Sequence, residues 1–187
     1  MLLLGVVQAQ VAEAAVAGSY DLLQTEILTG SQASVTFSSL GDYAADYQHL
    51  QIRMTYKGVT ANVESVRMRF NGDTASNYNI HGLYGTGSAV GSFGLANTVW
   101  LTVGDSKNTA NAFGGAIIDI LDPYETTKFT TARVLSGTSE ATTSIQLNSG
   151  AWRNTAALTS IQFFMNSGTN LAQYSRFSLY GLKKASV

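Results

Sequence analysis

A hydrophobic period of two restricts the fold of this chain more than any other feature. Leu50, Ile52, Met54 and Tyr56 alternate with His49, Gln51, Arg53 and Thr55. Successive side chains of an extended chain point to opposite faces, so this is a strand with one face buried and one wet. The alternation recurs at Val66, Met68 and Phe70, at Val99, Leu101 and Val103, at Ile145 and Leu147, and at Phe177 and Leu179. Ala116 to Leu121 is apolar on both faces except for Asp119, which predicts a strand covered on both sides. Asn71-Gly72, Gly104-Asp105, Ser136-Gly137, Asn148-Ser149-Gly150 and Ser167-Gly168 read as turns between the runs, and Asp122-Pro123 as the stop after one of them. Beyond residue 18 no window keeps a helical period, so one short helical turn is the most expected. About eight to ten strands predict an all-β fold: an antiparallel two-sheet sandwich of jelly-roll type with an N-terminal extension, a closed barrel being the alternative.

The extension is residues 1–18, ahead of a single β-sandwich domain at 19–187. Leu2, Leu3, Leu4, Val6, Val7 and Val11 make it apolar, while Gln8, Gln10 and Glu13 make it too polar and too short for a membrane span of ~20 residues. It lacks the basic residues that lead a signal peptide. Two readings remain: an assembly arm that docks on a neighbouring subunit, or a first element of the chain's own domain.

Composition narrows the partners. Charged residues are 12% of the chain and nearly cancel, with 11 Lys+Arg against 12 Asp+Glu, so no basic field exists to gather nucleic-acid phosphates. There is no Cys, which removes thiol nucleophiles and zinc ribbons. The 18 Gly and single Pro suit many short strands joined by turns.

Catalysis needs a nucleophile, a base and a group that orients the base, and only His49 and His81 are available as the imidazole. Neither belongs to a recognisable motif. Asp119 interrupts an apolar run and calls for a hydrogen-bonding partner rather than a substrate. The carboxylates are scattered rather than paired. Asn71-Gly72-Asp73 with Asn77 clusters oxygen donors that could hold calcium, but a type I′ hairpin turn built by Asn-Gly explains them better. Residues 82–94 carry five glycines without the spacing of a phosphate loop, and read as a flexible loop. With Tyr78, Tyr84 and Phe93 beside it, that loop is the candidate contact for a partner subunit or a glycan. No catalytic residue, metal ligand or cofactor is expected.

Three groups of residues carry a resemblance. They are Ser19-Tyr20-Asp21-Leu22-Leu23-Gln24-Thr25 with Ser34 to Leu40 and Tyr47 to Arg53; Arg69-Phe70-Asn71-Gly72-Asp73 with Asn77-Tyr78; and Trp152, Leu158 to Ile161 and the closing Arg176-Phe177-Ser178-Leu179-Tyr180-Gly181-Leu182-Lys183. Together they resemble a family of jelly-roll-like virion structural proteins of tailed bacteriophages. The resemblance implies a non-enzymatic particle protein made in the host cytoplasm. It would be a capsid decoration or cement subunit, a homotrimer tying major capsid proteins together, or alternatively a tail or tail-fibre component that binds host surface glycan. Nucleic acid and membrane are not among the implied partners.

Overall fold

The computed structural model describes residues 19–184 apart from 139, 141 and 142. The expected arm, with Leu2, Leu3, Leu4, Val6, Val7 and Val11, lies outside the described residues. Two antiparallel sheets form a sandwich. In chain order the strands are β1 (Tyr20–Ile27), β2 (Ser34–Phe37), β3 (Tyr47–Tyr56), β4 (Glu64–Phe70), β5 (Tyr78–Gly85), β6 (Val90–Thr98), β7 (Leu101–Ser106), β8 (Gly114–Leu121), β9 (Thr130–Thr138), β10 (Ile145–Trp152), β11 (Ile161–Met165) and β12 (Arg176–Lys183). One short 3₁₀ turn, Leu40–Tyr43, is the only helical element among the described residues.

The long sheet runs β1-β12-β3-β8-β9-β10-β5-β6 and the short sheet β2-β11-β4-β7. Strands β1 to β4 alternate between sheets, as do the pairs β7/β8 and β11/β12. This places β1-β12-β3-β8 opposite β2-β11-β4-β7 in jelly-roll order. The remaining four strands are two hairpins, β5–β6 and β9–β10, which meet edge to edge through β10 and β5 and widen only the long sheet. They raise the strand count above the expected eight to ten.

The core lies between the jelly-roll strands. Leu50, Ile52, Met54 and Tyr56 of β3, Val66, Met68 and Phe70 of β4, and Phe177 and Leu179 of β12 are buried on the faces that their alternation predicts. Aromatic rings tie the layers together: Phe163 lies 5.4 Å from Phe177 across the sandwich and 6.4 Å from Phe37 beside it. Burying each such side chain contributes about 1.5–3 kcal/mol.

Four turn expectations fail, for a common reason. Gly104-Asp105 lies inside β7, Ser136-Gly137 inside β9 and Asn148-Ser149-Gly150 inside β10. Residues 82–94 form most of the β5–β6 hairpin rather than a loop. Small residues there serve close packing. A Cβ at Gly82 would come within 2.3 Å of the Phe93 ring, and one at Gly150 within 2.4 Å of Leu101. Asn71 and Gly72 do adopt the positive φ of a type I′ turn, 50° and 64°. However, β4 and β5 belong to different sheets, so this is a corner rather than a hairpin.

The strand Gly114–Leu121 is also covered on one side only. Its even-numbered residues are buried, whereas Ile117 on the other face is exposed.

Candidate interaction face and interlayer cleft

Strand β10 positions both candidate sites because its pattern is inverted. Ile145 and Leu147 were the expected core face, yet they point outward, and Gln146 and Asn148 point inward at 7% and 2% exposure. Trp152, buried at the other end of the strand, fixes this register. Its indole N–H donates to Asp73 Oδ2 at 2.7 Å.

On the outer face of the long sheet the register aligns four aliphatic side chains. Ile117 pairs with Leu135, Leu135 with Leu147, and Leu147 with Leu83, making one continuous row across β8, β9, β10 and β5. Ile145 and Val90 flank Gly85 in the next row. These six residues range from 43% exposed at Ile117 to 90% at Val90. At on the order of 100 Å² each they make a patch of roughly 600 Å², the upper end of what a monomer usually leaves open. The neighbouring row is polar: Asp119 opposite Arg133, then Ser149 and His81. Toward β1 the face changes character, with Arg53 stacked on Tyr180 at 5.4 Å and on Tyr20 at 6.0 Å. Arg53 Nε donates to Gln51 Oε1 at 3.0 Å, and Gln51 Nε2 to Asp119 Oδ1 at 2.8 Å, which is the partner that Asp119 was expected to need. A depression of about 660 Å³ lies between Arg53, Tyr180, Ile117, Leu135 and Ile145.

On the inner face the long sheet reaches past the edge of the short one. Strand β7 packs over β8, β9, β10 and β5, and beyond it opens a cleft of about 380 Å³. Asp105 of β7 accepts hydrogen bonds from Ser65 Oγ (3.1 Å), Ser144 Oγ (2.6 Å) and Gln146 Nε2 (2.8 Å). Arg67 of β4 stacks on Trp100, 4.0 Å from the ring centroid, and donates to Thr102 Oγ1 and to Asn166 Oδ1. Burial lowers the Arg67 pKa to about 10 against the pull of Asp105, so the guanidinium stays charged at neutral pH. Asn148 Nδ2 donates to Gln146 Oε1, while Asn148 Oδ1 has no partner among the described residues.

The hairpin supplies an aromatic wall. Tyr84 pairs with Gly91 and Phe93 with Gly82 across β5 and β6. Each ring lies over a glycine backbone, and a Cβ at Gly91 would come within 2.6 Å of Tyr84. Of the three contact residues expected from sequence, Tyr84 and Phe93 line this cleft. Tyr78 does not: it is fully buried, and its hydroxyl bonds the Phe70 N–H at 3.1 Å and the Asp73 carbonyl at 3.2 Å. Burial raises its pKa to about 12. Sequence reasoning missed Arg67, Thr102, Asp105, Ser144 and Gln146 as a group, because they come from β4, β7 and the segment that enters β10, which are distant in the chain.

The remaining candidates are structural. Asp73 accepts from the Ala75 N–H, Asn77 Nδ2 and Trp152 Nε1. Asn71 Oδ1 accepts from the Thr159 and Ser160 amides. Those oxygens face protein donors, as a turn lock requires. His49 Nδ1 accepts the Asp122 N–H at 3.0 Å, and Asp122, itself at φ 47°, is held by Gln48 and Lys128. His81 is exposed on the outer face, four strands from His49 in the long sheet. Among the described residues no group of three His, Cys, Asp or Glu is placed to hold a metal ion.

No family model matches the chain, and no curated protein does. A solved structure of a mutant alginate lyase Aly36B, bound to an alginate tetrasaccharide, covers 87% of this chain and 81% of its own at 8% identity and a TM-score of 0.27. A likeness at that level carries no argument about function.

Proposed function

We propose that the chain is a structural protein of a tailed-bacteriophage virion, a capsid decoration or cement protein that attaches to the outer shell through the outer face of its long sheet. One observation carries the reading: the row Ile117-Leu135-Leu147-Leu83, with Ile145 and Val90 beside it, is apolar, contiguous and not covered by any of the described residues. Folding alone disfavours that arrangement, and a partner that removes the patch from water would offset its cost. Its composition is that of an interface, with an aliphatic centre and a rim supplied by Arg53, Arg133, Arg176 and His81. The occupant is a protein subunit of the shell, because an aliphatic centre gains most from burial against apolar protein surface. The resemblance to phage virion proteins supports the particle as the setting, and the apolar segment 1–18 supplies a second contact, reaching across a subunit boundary.

Binding to purified shells that lack the protein tests this. Leu135→Asp combined with Leu147→Asp should leave the domain folded and cut occupancy at least tenfold, since each buried leucine is worth about 1.5–3 kcal/mol. Deleting residues 1–18 should also lower occupancy. Shells that take up the double variant as well as the natural chain would sink the proposal.

A further inference from the structure

We infer that the interlayer cleft beside β7 binds a neutral saccharide, one or two sugar units held between the aromatic wall of the β5–β6 hairpin and the polar edges of β4, β7 and β10.

The first argument is the inward polarity of β10. Gln146 and Asn148 are buried amides whose cross-strand partners are Ser136, Val134, Gly82 and Tyr84, and burying an amide costs free energy unless its bonds are satisfied. Asn148 is 2% exposed and its Oδ1 has no partner among the described residues; it lies at Gly82 beside the Phe93 ring, and its Nδ2 donates to Gln146, which does line the cleft. Native interiors leave few such atoms, and this buried polar group reaches the cleft through Gln146, whose side chain is part of its lining.

The chemistry of the lining selects the ligand. Arg67 and Asp105 balance each other, so no net charge favours a phosphate or a metal ion. A carboxylate accepts about four hydrogen bonds, and Asp105 takes three from the protein. Arg67 uses Nε and Nη1, leaving Nη2 with no partner among the described residues. A ligand that both donates to a carboxylate and accepts from a guanidinium on adjacent atoms fits this pair, and vicinal hydroxyls do so. A pyranose also presents a C–H face, which packs on aromatic rings. Tyr84, 38% exposed, and Phe93 are fixed over Gly91 and Gly82 for that contact. At about 380 Å³ the cleft is at the small end of ligand sites, the size for one or two sugar units rather than a long chain.

The test is a chemical-shift titration of the intact protein with glucose, galactose, mannose and N-acetylglucosamine, with glucuronate and inorganic phosphate as charged comparisons. At least one neutral sugar should shift the amides of Thr102, Phe93 and Gln146 saturably. Tyr84→Ala, an exposed change that should not disturb folding, should weaken that binding about tenfold. Gln146→Ala should abolish it, thermal unfolding being used to confirm that the variant is folded. The inference does not rest on the outer-face reading, so Leu135→Ser should titrate like the natural chain. Absence of saturable shifts with all four neutral sugars, unchanged affinity in Tyr84→Ala, or binding of glucuronate or phosphate alone would overturn it.

Discussion

Strands β3 and β10 sit three places apart in the same sheet and have the same alternating composition, yet they are mounted opposite ways. In β3 the apolar residues Leu50, Ile52, Met54 and Tyr56 face the short sheet and the polar ones face out. In β10 Gln146 and Asn148 face in, and Ile145 and Leu147 face out. Around β3 both sheets are present, so burial decides the orientation. Around β10 the short sheet ends at β7, which covers Asn148 and Gly150, and at Gln146 the inner face meets a cleft instead of a second layer. The jelly-roll half is therefore arranged for stability. The hairpin half accepts exposed aliphatic and buried polar groups, a pattern that folding does not favour and that binding does.

The comparison can be broken most forcefully in the core. Phe163→Ala should lose about 3–5 kcal/mol, because it opens a cavity where three phenylalanines meet. Denaturant unfolding measures this, and a loss below about 1 kcal/mol would mean that the jelly-roll half is not the stabilising half. Asp105→Ala should cost less, about 1–3 kcal/mol, by leaving the Ser65, Ser144 and Gln146 donors unpaired and Arg67 unopposed.

Acid should act on the corners of the sandwich. Burial would raise the pKa of Asp73, but hydrogen bonds from Asn77, Trp152 and Ala75 outweigh it and lower the value. Lys128 and then Gln48 lower that of Asp122. A depressed folded-state pKa adds stability above the unfolded value of about 4, and that stability is lost as pH falls through the folded value. The thermal midpoint should accordingly drop below about pH 4, and Asp73→Asn should flatten that drop. The smallest effect belongs to the outer face. Leu147→Ser should change stability by no more than about 0.5 kcal/mol, and a larger loss would show that the patch serves the fold rather than a partner.

Much of the jelly-roll half was legible in the chain. The runs at 50–56, 66–70 and 177–179 became β3, β4 and β12 with the expected faces buried, because a strand between two layers must place its apolar set inward. The hairpin half was not. Ile145 and Leu147 read like any half-buried strand, and nothing local tells which side of the sheet is covered. Gly82, Gly91, Gly104 and Gly150 read as turn or loop residues, although their small size serves ring and side-chain packing inside strands. Tyr84 and Phe93, singled out from the sequence, line the cleft. Tyr78, with the same composition around it, became core because its hydroxyl could reach the Phe70 and Asp73 backbone.

The sequence by itself determined that the chain is an all-β sandwich: a period of two is a property of neighbouring residues, and it survives whatever packs above it. Only the tertiary structure decided which face of β10 is inside, that two hairpins widen one sheet alone, and that Arg67, Asp105 and Gln146 share a cleft. Those outcomes depend on where the second layer stops, and that edge is set by pairings between strands far apart in the chain.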